Sequence, residues 1–133
     1  MRGTAWYPQN VAEHGTTARV LAAERAAVLE RMGRLELELS GIIQAGAAGA
    51  DDEHDPEGAT LAFERQHTAA LLTQARQHLA AIEEATRRLA EGTYGSCAAC
   101  GEPIGAARLA ARPVATTCIR CASGQPHRAG RSG

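Results

Sequence analysis

Four cysteines in two close pairs constrain this chain more than any other feature. They lie at Cys97 and Cys100, in "YGSCAACGEPIG", and at Cys118 and Cys121, in "TCIRCA", with 17 residues between the pairs. Two C-x-x-C turns at this separation match a four-thiolate zinc site. Zinc takes four ligands in a tetrahedron, and one C-x-x-C turn can present two sulfurs to the ion. Gly101 follows the first pair, where a tight knuckle benefits from a residue without a side chain. Four protein ligands leave no position for water, so the expected metal is structural and not catalytic. Two local disulfides would require an oxidising compartment, for which the sequence gives no other sign. A thioredoxin-like redox pair would require βαβ surroundings, which are missing.

The segment before the cysteines reads as helix. Leu21, Val28, Met32, Leu35, Leu39 and Ile42 recur by fours and threes, with Arg25 interrupting the series. This is an apolar seam of period near 3.5. Thr16 or Thr17 is placed to cap its start, and Gly46 and Gly49 in "QAGAAGA" to end it. A second seam follows through Leu61, Thr68, Leu72, Ala75, Leu79, Ile82, Thr86 and Leu89. Asp55 and Pro56 read as its N-cap and first helical residue, and Gly92 as its stop. Two amphipathic helices joined by a short loop fold back on one another. The expected fold is therefore all-α: a long antiparallel coiled-coil hairpin followed by a small C4 zinc module. The expected segments are a flexible arm over 1–16, the hairpin over 17–91 with an acidic tip at 51–57, the zinc finger over 92–122, and a disordered tail over 123–133.

Composition sharpens this picture. Apolar residues make up 44% of the 133, but only 3% are aromatic and much of the rest is Ala, so a large core is not expected. The net charge of −1 argues against a general nucleic-acid coat. The charge is nevertheless unevenly placed. Asp51, Asp52, Glu53, Asp55 and Glu57 cluster at the expected tip, whereas Arg108, Arg112, Arg120, Arg128 and Arg131 follow Cys97 with a single acid, Glu102. No apolar run reaches membrane-spanning length, and "MRGTAWYPQN" has no apolar signal core, so a cytoplasmic protein is expected. No nucleophile–base pair, phosphate loop or open metal site is present in the sequence pattern, and no enzymatic activity is expected. His54, His67 and His78 read as solvent-facing side chains.

The stretch "YGSCAACGEPIGAARLAARPVATTCIRC" resembles the zinc-finger signature of the DksA/TraR family of bacterial transcription regulators. Tyr94, Gly95, Cys97, Cys100, Gly101, Ile104, Arg108, Leu109, Ala111, Arg112, Pro113, Cys118, Ile119 and Cys121 carry the likeness, and the coiled hairpin before them is what the family places there. The resemblance implies direct binding to RNA polymerase without recognition of a DNA sequence. It implies a hairpin inserted in the secondary channel, with its acidic tip near the active centre. Arg108 and Arg112 match basic positions of the family's zinc module, implied contacts for polymerase docking or for the alarmone guanosine tetraphosphate. The family's tip pattern, Asp-x-x-Asp-x-Ala, falls here on His54, Glu57 and Ala59, so the charge is kept and the pattern is not. Ala81 and Ala122 stand at expected basic positions, so little alarmone dependence is expected. The alternative from another class is a zinc-stapled coiled-coil adaptor for a different protein partner.

Overall fold

The structure, a computed structural model, describes residues 11–48 and 56–124. Two long helices dominate it: α1 spans Val11–Ala48 and α2 spans Pro56–Glu91. Two short helices follow, α3 over Ala106–Ala111 and α4 over Ile119–Ala122. The expected all-helical hairpin with a C-terminal cysteine module is the observed fold. Among the described residues there is no strand, only an isolated antiparallel bridge between Ser96 and Pro103. No described helix is long and apolar enough to cross a membrane.

The ends of the helices follow from local chemistry, with two differences from expectation. Helix α2 starts at Pro56, whose fixed φ suits a first helical position. It ends on a Schellman motif. Gly92 has φ +84, its N–H donates to Leu89 O at 3.3 Å, and Thr93 N–H donates to Arg88 O at 2.9 Å. Helix α1 begins at Val11, six residues before the boundary expected at 17, so Thr16 and Thr17 lie inside it and do not cap it. Its described end, Ala48, lies beyond Gly46. One glycine in a helix costs about 1 kcal/mol relative to Ala, which the neighbouring Ala residues tolerate. Trp6 and Tyr7, the acids Asp51, Asp52, Glu53 and Asp55, and the tail from residue 125 lie outside the described residues.

The molecule divides into two compact units. One holds the described residues of 25–80. Its buried side chains are Val28 and Leu35 from α1 and Thr68, Leu72 and Ala75 from α2. All five belong to the expected seams, with Met32, Leu39, Leu61 and Leu79 half-buried beside them. Thr68 is the one buried polar residue among the described residues, and no buried side-chain polar atom there lacks a hydrogen-bond partner. Arg76 of α2 reaches Glu36 of α1 at 3.6 Å, an exposed pair that orients the helices more than it stabilises them.

The other unit joins α1 up to Glu24 with the described residues from Ala81 onward. Its helical core is Leu21, Ile82, Ala85 and Leu89. Here the seam departs from a strict fours-and-threes reading. Ala85 is buried and Thr86 is exposed, its hydroxyl donating to Ile82 O at 2.9 Å. A straight α-helix has 3.6 residues per turn and drifts from a 3.5 repeat. On the exposed face Arg87 bonds Glu84 and Glu91 at once, and its hydrogen bond holds the Glu84 carboxyl below its usual range.

Candidate metal centre

The chain reverses just past Gly92 and builds the first cysteine knuckle. Cys97 N–H donates to Glu102 O at 2.8 Å, Gly101 N–H to Cys97 O at 2.9 Å, and Ile104 N–H to Gly95 O at 2.8 Å. The turn needs φ +82 at Gly101, a left-handed value open to glycine, as the sequence position suggested. The second knuckle is the start of α4, where Ala122 N–H donates to Cys118 O at 2.9 Å. Ala98 N–H donates to Thr116 O at 2.7 Å and ties one knuckle to the other.

This folding brings Cys97, Cys100, Cys118 and Cys121 together, with all four sulfurs within 4.8 Å of one another. Cys97 and Cys118 are buried, and Cys100 and Cys121 are half-buried. The sulfurs of Cys100 and Cys118 are 3.8 Å apart. Four sulfurs at about 2.3 Å from a tetrahedral zinc would sit about 3.8 Å apart. The same distance is far beyond the roughly 2.05 Å of a disulfide. Ile104 completes the buried cluster, with Leu109 and Ala115 packed against it.

The surroundings shift three of the four thiols. The Cys121 thiol is pushed up to about 12, first by burial and then by the hydrogen bonds it shares with the other three cysteines. Cys100 is raised as well. In Cys97, burial raises the thiol, but hydrogen bonds from the backbone N–H groups of Cys118, Cys100 and Ala99 outweigh it and leave it lowered. Ionising all four together requires a positive ion among them, and metal binding releases the protons. The donor set and geometry fit one structural zinc ion held by Cys97, Cys100, Cys118 and Cys121.

Side chains around the cage fasten it to the helices. Tyr94 is buried and its hydroxyl donates to Pro113 O at 2.8 Å. Burial, and then the nearby Glu24 carboxylate of α1, raise the Tyr94 phenol. Arg108 Nε donates to Thr117 O at 2.9 Å, whereas the Arg112 and Arg120 side chains are exposed. Arg88, which the sequence pattern places on a polar helix face, donates from its guanidinium to Ser96 O at 2.6 Å and Thr93 O at 3.3 Å. Of the expected tip residues only Glu57 falls on a described element, the first turn of α2. His67 is exposed and stacked on Phe63, with ring centroids 6.3 Å apart.

Comparison with known proteins identifies this arrangement. Residues 92–127 match the prokaryotic dksA/traR C4-type zinc finger. The structure of transcription factor DksA2 from Pseudomonas aeruginosa superposes with a TM-score of 0.73 and 29% sequence identity, over 92% of this chain and 88% of that one. The zinc finger is of the DksA/TraR type, and the fold is that of DksA2. Its other relatives include the RNA polymerase-binding transcription factor DksA of Caulobacter vibrioides, 50% identical over 44 residues, which are 33% of this chain. The protein named YteA of Bacillus subtilis is 40% identical over 72 residues, 54% of this chain. The matched stretches span 31% and 30% of these two relatives, less than a third of their length. The likeness to DksA2 takes in both the hairpin and the C4 finger.

Proposed function

We propose that the chain is a non-catalytic, RNA polymerase-binding regulator of bacterial transcription initiation, acting in the cytoplasm. The observation that carries this reading is the union of a DksA/TraR zinc finger and a helical hairpin in one chain that is alike to DksA2 over 92% of the chain. The relative from Caulobacter is named for binding RNA polymerase. Under this reading the zinc module holds the feet of the helices, and the hairpin enters the secondary channel. Asp51, Asp52, Glu53, Asp55 and Glu57 then bring negative charge to the active centre. Such a device works by occupying space and by its electric field, and needs neither a nucleophile nor an open metal position.

The basic module supplies the second part of the contact. Arg112 is exposed and available for docking, whereas the Arg108 guanidinium is engaged with Thr117 O. Guanosine tetraphosphate has a minor place in this reading, because Ala81 and Ala122 stand where the family resemblance leads one to expect basic residues. No sequence-specific DNA contact is assigned, in keeping with a net charge of −1.

A pull-down with core RNA polymerase, coupled to a promoter open-complex lifetime assay, tests the proposal. The wild-type chain is expected to be retained and to change that lifetime. The double variant Asp55→Ala/Glu57→Ala is expected to be retained and to leave the lifetime unchanged. Absence of wild-type retention would remove this reading and favour the zinc-stapled adaptor.

A further inference from the structure

Each cysteine knuckle begins at a peptide whose carbonyl is taken by an arginine. Ser96 precedes Cys97, and its carbonyl accepts from the Arg88 guanidinium at 2.6 Å. Thr117 precedes Cys118, and its carbonyl accepts from Arg108 Nε at 2.9 Å. Cys97 and Cys118 are the two buried ligands, one from each knuckle. The two arginines come from different elements, α2 and α3. Both are half-buried, and a hydrogen bond from a charged donor is stronger than a neutral one.

We propose that Arg88 and Arg108 are paired positioning residues, each fixing the peptide that carries the buried zinc ligand of its knuckle and so setting how tightly the ion is held. The geometry gives each a definite action. The N–H end of the Ser96–Cys97 peptide donates to Glu102 O at 2.8 Å, which closes the first knuckle, and Arg88 grips its other end. The Thr117–Cys118 peptide carries the buried ligand of the second knuckle, and Arg108 grips its carbonyl end. A cation on the carbonyl polarises the peptide and strengthens the N–H bond opposite. Arg88 also anchors the first knuckle to α2, because its own carbonyl accepts from Thr93 N–H at 2.9 Å and Tyr94 N–H at 3.1 Å. Outer-shell partners of this kind change metal affinity by about 10- to 100-fold.

The test is zinc competition against a chromogenic chelator on the full chain, for wild type, Arg88→Ala, Arg108→Ala and Arg112→Ala. The first two variants are expected to raise the zinc Kd about 10- to 100-fold. Arg112→Ala, which removes the same charge from an exposed position, is expected to leave it unchanged. The cobalt-substituted forms of Arg88→Ala and Arg108→Ala are expected to show shifted sulfur-to-metal bands, with those of Arg112→Ala at the wild-type positions. Equal Kd values for Arg88→Ala, Arg108→Ala and Arg112→Ala would overturn the proposal. If Arg88→Ala loses helix by circular dichroism, Arg88→Met decides. It keeps the length and helix propensity without the donor, so a Kd above that of Arg112→Ala supports positioning and a Kd equal to it refutes it.

Discussion

Cys118→Ser is expected to abolish stoichiometric zinc binding and to unravel residues 92–124 while leaving α1 and α2 helical. The module has little else to hold it. Its buried apolar side chains besides the ligands are Tyr94 and Ile104. A segment this small rarely folds on its own core. Zinc binding to such sites supplies about 10–16 kcal/mol near neutral pH, comparable to the whole stability of an ordinary domain, about 5–15 kcal/mol. Removing a buried ligand withdraws most of that. Arg108 and Arg120 then report the collapse, since trypsin cleaves at arginine only where the backbone is open, whereas the Arg112–Pro113 bond resists it in either state. Wild type should resist cleavage there, become sensitive on chelation and recover with added zinc. The variant should be sensitive from the start and should not recover. One equivalent of zinc retained in protease-resistant Cys118→Ser protein would contradict this account of the module.

Ile82→Ala is expected to destabilise the hairpin by about 2–5 kcal/mol, the range for emptying a buried Ile site. Ile82 is 0% exposed and is one of two large side chains fully enclosed, the other being Leu21. Its buried companion one turn on is Ala85, too short to fill the space left behind. In a chain whose apolar fraction is largely Ala, each branched seam residue carries more of the burial than it would in a richer core. Leu37→Ala makes the control. Leu37 is 78% exposed on the far face of α1, and its removal should change stability by no more than about 0.5 kcal/mol. Urea unfolding followed by helical circular dichroism separates the two. Equal midpoints for both variants would mean that the seam does not carry the stability.

The parts of this structure that were legible in the sequence are those fixed by short-range chemistry. The bounds of α2 follow from Pro56, which suits a first turn, and from Gly92, which alone accepts the positive φ of the Schellman turn. The sulfur cage follows from spacing, since two C-x-x-C turns 17 residues apart match a four-thiolate site. The start of α1 was hidden because Gly15, Thr16 and Thr17 look like a boundary while Ala12, Glu13 and their neighbours simply continue the helix. Ala85 in place of Thr86 was missed because a strict 3.5 repeat was carried too far along a helix of 3.6 residues per turn. Arg88 was missed for a different reason. On its own helix it is an ordinary polar residue, and its role arises only when the chain turns at Gly92 and brings the Ser96 carbonyl back beside α2.

The central claim is that four cysteine sulfurs hold one zinc ion at the base of the hairpin, and X-ray absorption at the zinc K edge on reduced, purified full-length protein tests it most directly. The expected result is one zinc per chain with a single shell of four sulfurs at about 2.3 Å. A protein without bound zinc, or a shell that requires nitrogen or oxygen ligands in place of sulfur, would contradict it.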